Sequence, residues 1–335
     1  MTRPQRPPPA GGEGKTRSSE RMASMAQDRC DRRKFLGAVA GGAVVAAGAR
    51  AQTRPPRRGR PPNVLFVFSD EHRWQSMSMT EMAGMHTPNM ARLAREGLSC
   101  SNAISNYPVC SPHRAMLITG RWPYRQRMRD DSPGMIDNGL PLSPDQQSLG
   151  LAFRDAGYST GYIGKWHLGD DDPRAEPFGF DHSIIWTHTN DHWNSVCHPK
   201  DGRREIRGVY NATGMTDQAL EFLSGQDDDP FMLALSINPP HSRFTDAPED
   251  MIELYPNPSD LPRRRNVEVD DRKAFWRQYQ GYHAHISAVD RELGRLLDLL
   301  DRLGLAEDTI VIFSCDHGHF LGQHGLIAKA IHHYE

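Results

Sequence analysis

Apolar residues along this chain fall into two alternating patterns. Asn63-Val64-Leu65-Phe66-Val67-Phe68-Ser69 is a continuous apolar run, as expected of a strand covered on both faces, and it ends at Asp70-Glu71. Comparable runs at Ser159 to Ile163, Phe231 to Ile237 and Thr309 to Ser314 predict three further strands. Helical spacing separates them. Thr87-Pro88 supplies an N-cap and a first-turn proline for a helix that ends at Gly97. Gln147 to Ala156 and Thr216 to Leu223 predict two more helices. From Lys273 to Leu303, Ile286, Val289, Leu293, Leu296, Leu297 and Leu300 share one apolar face. The segments Asp170 to Gly208 and Ala247 to Val269 are polar and weakly periodic and read as loops. Strand and helix alternate, so the expected fold is α/β, a mostly parallel central sheet flanked by helices.

Charge divides the 335 residues unevenly. Residues 1–62 carry 14 Lys and Arg against 4 acids, a net +10, which leaves -12 on the remainder and a total of -2. So acidic a body excludes nucleic-acid binding through a broad basic face. In the basic head, Asp31-Arg32-Arg33-Lys34-Phe35-Leu36 precedes a weakly apolar run from Gly37 to Ala49 and a small-residue cleavage site, Ala49-Arg50-Ala51. The run is too short and too rich in Gly and Ala to span a membrane. Paired arginines followed by Phe-Leu resemble a twin-arginine signal, which implies the twin-arginine translocase as a partner and a periplasmic or extracellular destination. The domain expectation is therefore a signal and basic head at 1–51, a Pro/Arg linker at 52–62 and a catalytic domain at 63–335. Five cysteines in a chain of this size do not make a disulfide framework.

One of those cysteines stands in an unusual setting, Val109-Cys110-Ser111-Pro112-His113-Arg114-Ala115-Met116-Leu117-Ile118-Thr119-Gly120-Arg121. Pro112 suits the first turn of a helix and Gly120 its end. Cys110 would then sit at the positive pole of the helix, with Arg114 on the same face four residues on. On Cys-x-Pro-x-Arg alone, a buried structural cysteine and a reactive one are equally good readings.

Other polar groups stand at the ends of the predicted strands. Asp70, Lys165, His241 and the pair Asp316-His317 each fall within a few residues of a strand's C-terminal end. In an open parallel sheet those ends share one edge, where ligands bind. Singly, His167 or His241 is an ordinary loop histidine and Asp70 a helix cap; their common placement is the signal.

The extended Cys110 stretch resembles the sulfatase signature, in which the cysteine is oxidised to formylglycine by a formylglycine-generating enzyme. So do Ser69-Asp70-Glu71-His72, Gly164-Lys165-Trp166-His167-Leu168-Gly169, Pro239-Pro240-His241, Asp316-His317-Gly318, and Gly322-Gln323-His324-Gly325-Leu326 followed by Lys329. This likeness covers Asn63 to the end of the chain. It implies an alkaline-phosphatase-like fold and a sulfuric ester hydrolase acting on sulfate monoesters. Asp70, Cys110 as formylglycine, Asp316 and His317 would bind a divalent metal, Ca²⁺ by the oxygen ligands. His241 and Lys329 would lie near the leaving oxygen. His167, with Arg114 and Lys165 beside it, would assist release of sulfate.

Three features depart from the commonest pattern. Glu71 stands where many sulfatases have a second Asp, as a further metal-ligand candidate. His317 replaces the commoner Asn, which admits Mn²⁺ or another softer ion and a rival activity on phosphodiesters or phosphonate monoesters. The chain stops soon after Lys329, so the family's small C-terminal antiparallel subdomain is expected to be missing, and an inactive remnant is the third reading. A sulfated carbohydrate substrate is read from Trp186 and Trp193 in the polar segment, whose rings suit sugar faces and ordinary packing equally.

Overall fold

The computed structural model describes residues 59–80, 82, 84–126, 141–169, 173–187, 189–267 and 272–329. The expected signal and residues 52–58 of the linker lie outside these residues. Seven strands form one sheet: β1 (Asn63–Ser69), β2 (Ser159–Lys165), β3 (His182–Trp186), β4 (Asn194–Pro199), β5 (Arg204–Arg207), β6 (Phe231–Ile237) and β7 (Thr309–Cys315), in the spatial order β5-β4-β3-β2-β6-β1-β7. From β3 to β7 every pairing is parallel, while β4 and β5 turn back antiparallel on the outer side. Three of the predicted runs become the inner strands β1, β2 and β6, buried almost throughout, while the fourth, β7, forms the edge of the sheet with residues alternating between half-buried and exposed.

Alternate residues of these strands pack against different layers. Leu65, Val67, Leu233 and Leu235 join a core built with α4 (Asn211–Ser224) and the long α6 (Arg272–Leu303), including Met215, Phe222, Ile286, Val289 and Leu293. Val64, Phe68, Met232 and Ala234 face the other way, toward Ala115 and Ile118 of α2 (Cys110–Thr119) and the rings of Trp166, Phe178 and Phe180. Two smaller helices complete the expected set, α1 (Pro88–Glu96) and α3 (Leu149–Asp155), with Ser148 capping the latter through its hydroxyl. A short α5 (Glu249–Ile252) is the one helix in the otherwise irregular 247–267 region.

The polar segment 170–208 is a correction. It holds β3, β4 and β5 rather than long loops alone. Its strands sit at the solvated margin of the sheet, so they carry Asn, Ser, Arg and Glu and lack an apolar run. Trp186 is buried against the core with its indole N–H on Gln218 (2.8 Å), and Trp193 donates to the Asp246 carbonyl (2.7 Å). Trp186 is thus a core ring, and Trp193 packs against the same core while remaining partly exposed. Among the described residues no helix is long and apolar enough to cross a membrane, and Cys100, Cys110, Cys197 and Cys315 are all free thiols.

Candidate active site

The parallel strands deliver their polar ends to one place. Asp70 follows β1, Lys165 ends β2, His241 follows β6, and Asp316 and His317 follow β7. Gly164 makes the approach of β2 possible. Its φ is +110°, and an added Cβ would run into the Ser236 carbonyl of the neighbouring strand. Helix α2 brings Cys110 as its first residue, behind an extended Val109, and Gly120 closes the helix in the left-handed conformation with its N–H on the Met116 carbonyl (2.8 Å).

Cys110 is the hub. Its thiol donates toward Asp70 Oδ1 at 3.4 Å, His317 Nε2 lies 3.2 Å from its sulfur, and Lys329 Nζ donates to it at 3.0 Å. One turn on, Arg114 bonds Asp70 Oδ2 (3.1 Å) and Asp316 Oδ2 (3.0 Å), and also the Lys165 carbonyl (2.9 Å) and Ser236 Oγ (2.6 Å). Lys165 pairs with the Asp70 carboxylate, and Lys329 with that of Glu71. Glu71 adopts a left-handed backbone (φ 62°), its N–H donates to Asp316 Oδ1 (3.1 Å), and its carboxylate stands 3.2 Å from His241 Nε2. Three carboxylates and three permanent cations are thus interleaved in a buried site.

Histidine tautomers follow from carbonyl partners, which only accept. His241 Nδ1–H donates to the Ser242 carbonyl (2.8 Å), turning Nε2 toward Glu71. His317 Nδ1–H donates to the Gly318 carbonyl (2.9 Å), turning Nε2 toward Cys110 and the two aspartates. His167 joins through its main chain: it is left-handed at φ 57°, and its carbonyl accepts from Ser111 Oγ at 2.8 Å, next to Cys110. All ten residues singled out in the sequence are therefore gathered at or beside one centre.

Charge sets the protonation. Burial alone would raise Asp70, yet Lys165, His241, Arg114 and Lys329 together hold it well below the usual carboxylate range. Glu71 is pushed up by burial and by the neighbouring Asp70 against the pull of Lys329. Burial works against a charged His317, but Asp316 and Cys110 outweigh it and raise the imidazole to about 9. The Lys329 ammonium is held protonated in the same manner by Glu71, Asp70 and Cys110. This surplus of anionic character around His317 and Cys110 suits a cation. Asp70, Cys110, Asp316 and His317 each offer a ligand atom, all within 4.8 Å of one another, and Asp70, Glu71, Cys110 and His241 form a second such group. Two carboxylates and an imidazole whose outer N–H is already anchored on the Gly318 carbonyl, and whose Nε2 proton a bound cation would displace, are a fitting donor set for a divalent metal.

Sequence reasoning missed several supports. Ser236 and Tyr162 hold Arg114 and the Lys165 carbonyl from neighbouring strands, without any local marker. His319, 3.7 Å from Glu71 Oε2 and pushed down to about 3 by burial, was legible only as the next alternate residue after His317. A further buried group joins His192, Asp246 and His285: His192 Nδ1 is 2.7 Å and His285 Nε2 3.4 Å from Asp246 Oδ1.

Comparison with known proteins agrees with this geometry. Residues 62–335 match the family model described as Sulfatase. An ulvan-active sulfatase of Formosa agariphila is 33% identical over 270 residues, covering 78% of this chain and 51% of that protein. An endo-4-O-sulfatase of Bacteroides thetaiotaomicron is 30% identical over 319 residues, covering 82% and 62%. A solved structure from work on glycosaminoglycan metabolism in Bacteroides thetaiotaomicron superposes with a TM-score of 0.71 at 28% identity, over 79% of this chain and 63% of that one. The chain thus spans between half and two thirds of the length of these relatives. With the family model matching most of its length and the Cys110 centre assembled as described, this chain belongs to the sulfatase family.

Proposed function

We propose that this protein hydrolyses sulfate monoesters of a carbohydrate, using a formylglycine made from Cys110 as its nucleophile. One observation carries the reading: the Cys110 sulfur lies within 3.4 Å of Asp70, His317 and Lys329, groups delivered by separate segments to one buried point. One hydroxyl of the hydrated aldehyde at position 110 would give up its proton and bond through its oxygen to sulfur while the ester S–O bond breaks. The departing alkoxide would take a proton from His241 or Lys329, which face each other across Glu71. Loss of a proton from the second hydroxyl, assisted by His167, would then expel sulfate and restore the aldehyde. Arg114 bridges and fixes Asp70 and Asp316, and with Lys165 it keeps Asp70 ionised. A divalent metal, Ca²⁺ or Mn²⁺, held by Asp70, residue 110, Asp316 and His317 with Glu71 at hand, would supply positive charge for the sulfuryl oxygens.

The carbohydrate is proposed because similar proteins are named for ulvan and for glycosaminoglycan metabolism. Maturation would need a formylglycine-generating enzyme, and residues 1–51 would direct export through the twin-arginine translocase. The test pairs mass analysis of the Cys110 peptide with rates on an aryl sulfate and an aryl phosphodiester. Conversion of the thiol to the aldehyde, with preference for the sulfate, is the expected result; preference for the diester overturns the reading in favour of the phosphodiesterase or phosphonate hydrolase that His317 also suits. Cys110→Ala should abolish turnover while leaving the far-ultraviolet circular dichroism and the urea midpoint close to the parent. Dialysis against a chelator should remove activity that added Ca²⁺ or Mn²⁺ restores.

A further inference from the structure

A second cluster of metal-ligating side chains lies outside the Cys110 centre. It joins three segments: His192 in the connection between β3 and β4, Asp246 at the end of a 3-10 turn (Phe244–Asp246) that follows β6, and His285 in the middle of α6. The fold builds in their close approach. Gly281 lies one turn before His285, and an added Cβ there would strike the Phe244 carbonyl, so the turn can rest directly on the helix. His192 is held on both sides of its backbone. Its N–H donates to Asp246 Oδ2 (3.2 Å), and its carbonyl accepts from the Asn211 N–H (2.7 Å).

The donor atoms stand close to coordination spacing. His192 Nδ1, Asp246 Oδ1 and His285 Nε2 lie within 4.8 Å of one another. His285 Nε2 is 3.4 Å from Asp246 Oδ1 and 3.1 Å from the Arg243 carbonyl oxygen, and His192 Nδ1 is 2.7 Å from Asp246 Oδ1. Nitrogen and oxygen ligands about 2.0–2.1 Å from a tetrahedral zinc ion are separated by roughly 3.3 Å. Only the His192 ring has to move outward. Two imidazoles, a carboxylate and a carbonyl oxygen suit zinc and disfavour Ca²⁺ or Mg²⁺, which take oxygen ligands.

The surroundings accept such an ion. Both rings are fully buried, while the 16% exposure of Asp246 leaves a path from solvent. Burial pushes His285 down to about 4, so the ring is neutral, as a ligand must be. His285 Nδ1 meets the Tyr210 hydroxyl at 2.6 Å. With a cation on Nε2 the ring proton sits on Nδ1 and donates to that oxygen, the outer bond that orients a metal-bound imidazole. His192 Nε2 has no hydrogen-bond partner, so its ring proton can shift there from Nδ1 without breaking a bond at Nε2. Arg243, with Nε 3.9 Å from Asp246 Oδ2, leaves Oδ1 to the ion.

We infer that His192, Asp246 and His285, with the Arg243 carbonyl, form a structural zinc site that clamps the segment after His241 and the β3–β4 connection to α6. No ligand of this site belongs to the Cys110 centre, so failure of the sulfatase reading would leave it standing.

The test uses full-length Cys110→Ala protein, stripped with a chelator and returned to excess Ca²⁺ to hold the oxygen-rich catalytic centre. Zn²⁺ is titrated in competition with a chromophoric chelator. One equivalent should bind. Asp246→Asn and His192→Gln, which keep hydrogen-bonding groups in place, should each weaken it at least about tenfold, the loss that even an outer partner of a metal ligand produces. Far-ultraviolet circular dichroism of the metal-free proteins checks their fold. Crystals of the Cys110→Ala protein grown with zinc locate the ion without any change at the site, and the anomalous peak should lie between His192, Asp246 and His285. Should either variant unfold, that peak decides. No zinc binding in excess Ca²⁺, equal affinity in all three proteins, or an anomalous peak only at the Cys110 centre overturns the site and leaves the three groups as a hydrogen-bonded brace.

Discussion

Arg114 shows how one side chain organises the centre. It is buried to 1% exposure, lies over the Phe68 ring at 5.1 Å, and bridges the carboxylates that arrive from β1 and β7. Its planar fork reaches four acceptors at once, which the single ammonium of lysine cannot do. Arg114→Lys keeps the charge but strands at least one buried carboxylate. The expected cost is about 3 kcal/mol of stability, read as a lowered urea midpoint, with a fall of roughly 10² in kcat from the disturbed carboxylates. Retention of both parent values would refute the bridging role. The placement of Arg114 beside Cys110 is legible along the chain, because residues four apart share a helix face. Its acceptor Ser236 is not, since a serine inside an apolar strand carries no mark of what faces it across the sheet.

At the scale of elements, the start of α1 separates position from chemistry. Thr87 occupies the N-cap as its residue type predicts, but its hydroxyl is engaged with Ser78, accepting that residue's N–H at 2.7 Å. The cap is Asp290 of α6, whose carboxylate accepts from the Asn89 and Met90 N–H groups at 3.1 and 2.7 Å. A local pattern cannot reveal a cap supplied 200 residues away. Asp290→Ala should cost about 1–2 kcal/mol in the urea midpoint, whereas Asp290→Asn, which keeps an acceptor, should lose less; equal losses would argue against capping. Thr87→Ala then tests the converse, through its tie to Ser78. The margin strands illustrate a second limit. β1, β2 and β6 announce themselves because burial on both faces demands continuous apolar sequence, β7 keeps an apolar run at the sheet edge although Ile310 and Ile312 are exposed, and the site is legible from the polar residues that break those runs at their ends. β4 and β5 lie at the solvated margin and carry mostly polar residues, so hydrophobicity leaves no trace of them.

Across the whole molecule, buried neutral histidines make stability depend on pH in a window separate from the carboxylates. His72, His283 and His285 are fully buried, and burial pushes them down to about 4, 3 and 4. Two of the neutral forms are tied by hydrogen bonds: His283 donates to the Tyr279 carbonyl (2.7 Å), and His285 accepts from the Tyr210 hydroxyl (2.6 Å). Arg73 adds a repulsive charge beside His72 and His283. In the unfolded chain each returns to its ordinary value near 6.5. Between pH 6.5 and 4 the unfolded state therefore binds more protons than the folded one, and the unfolding free energy falls as pH falls, by up to roughly 1.4 kcal/mol per pH unit for each histidine. Asp70 and Asp246 have lowered values and act in the same sense, but their contribution is lost only below about pH 4. Urea midpoints measured from pH 7 to 4.5 should thus decline from about pH 6.5, before Asp70 or Asp246 titrates, with the raised Glu71 working in the opposite sense. His113 and His319 are pushed down by burial in the same way, so replacing His283 by Gln removes one of at least five such groups and should flatten that slope by roughly one fifth. A midpoint constant between pH 7 and 5 would mean that these rings are not held neutral, and with it the packing of α6 against the 72–76 turn would need to be redrawn.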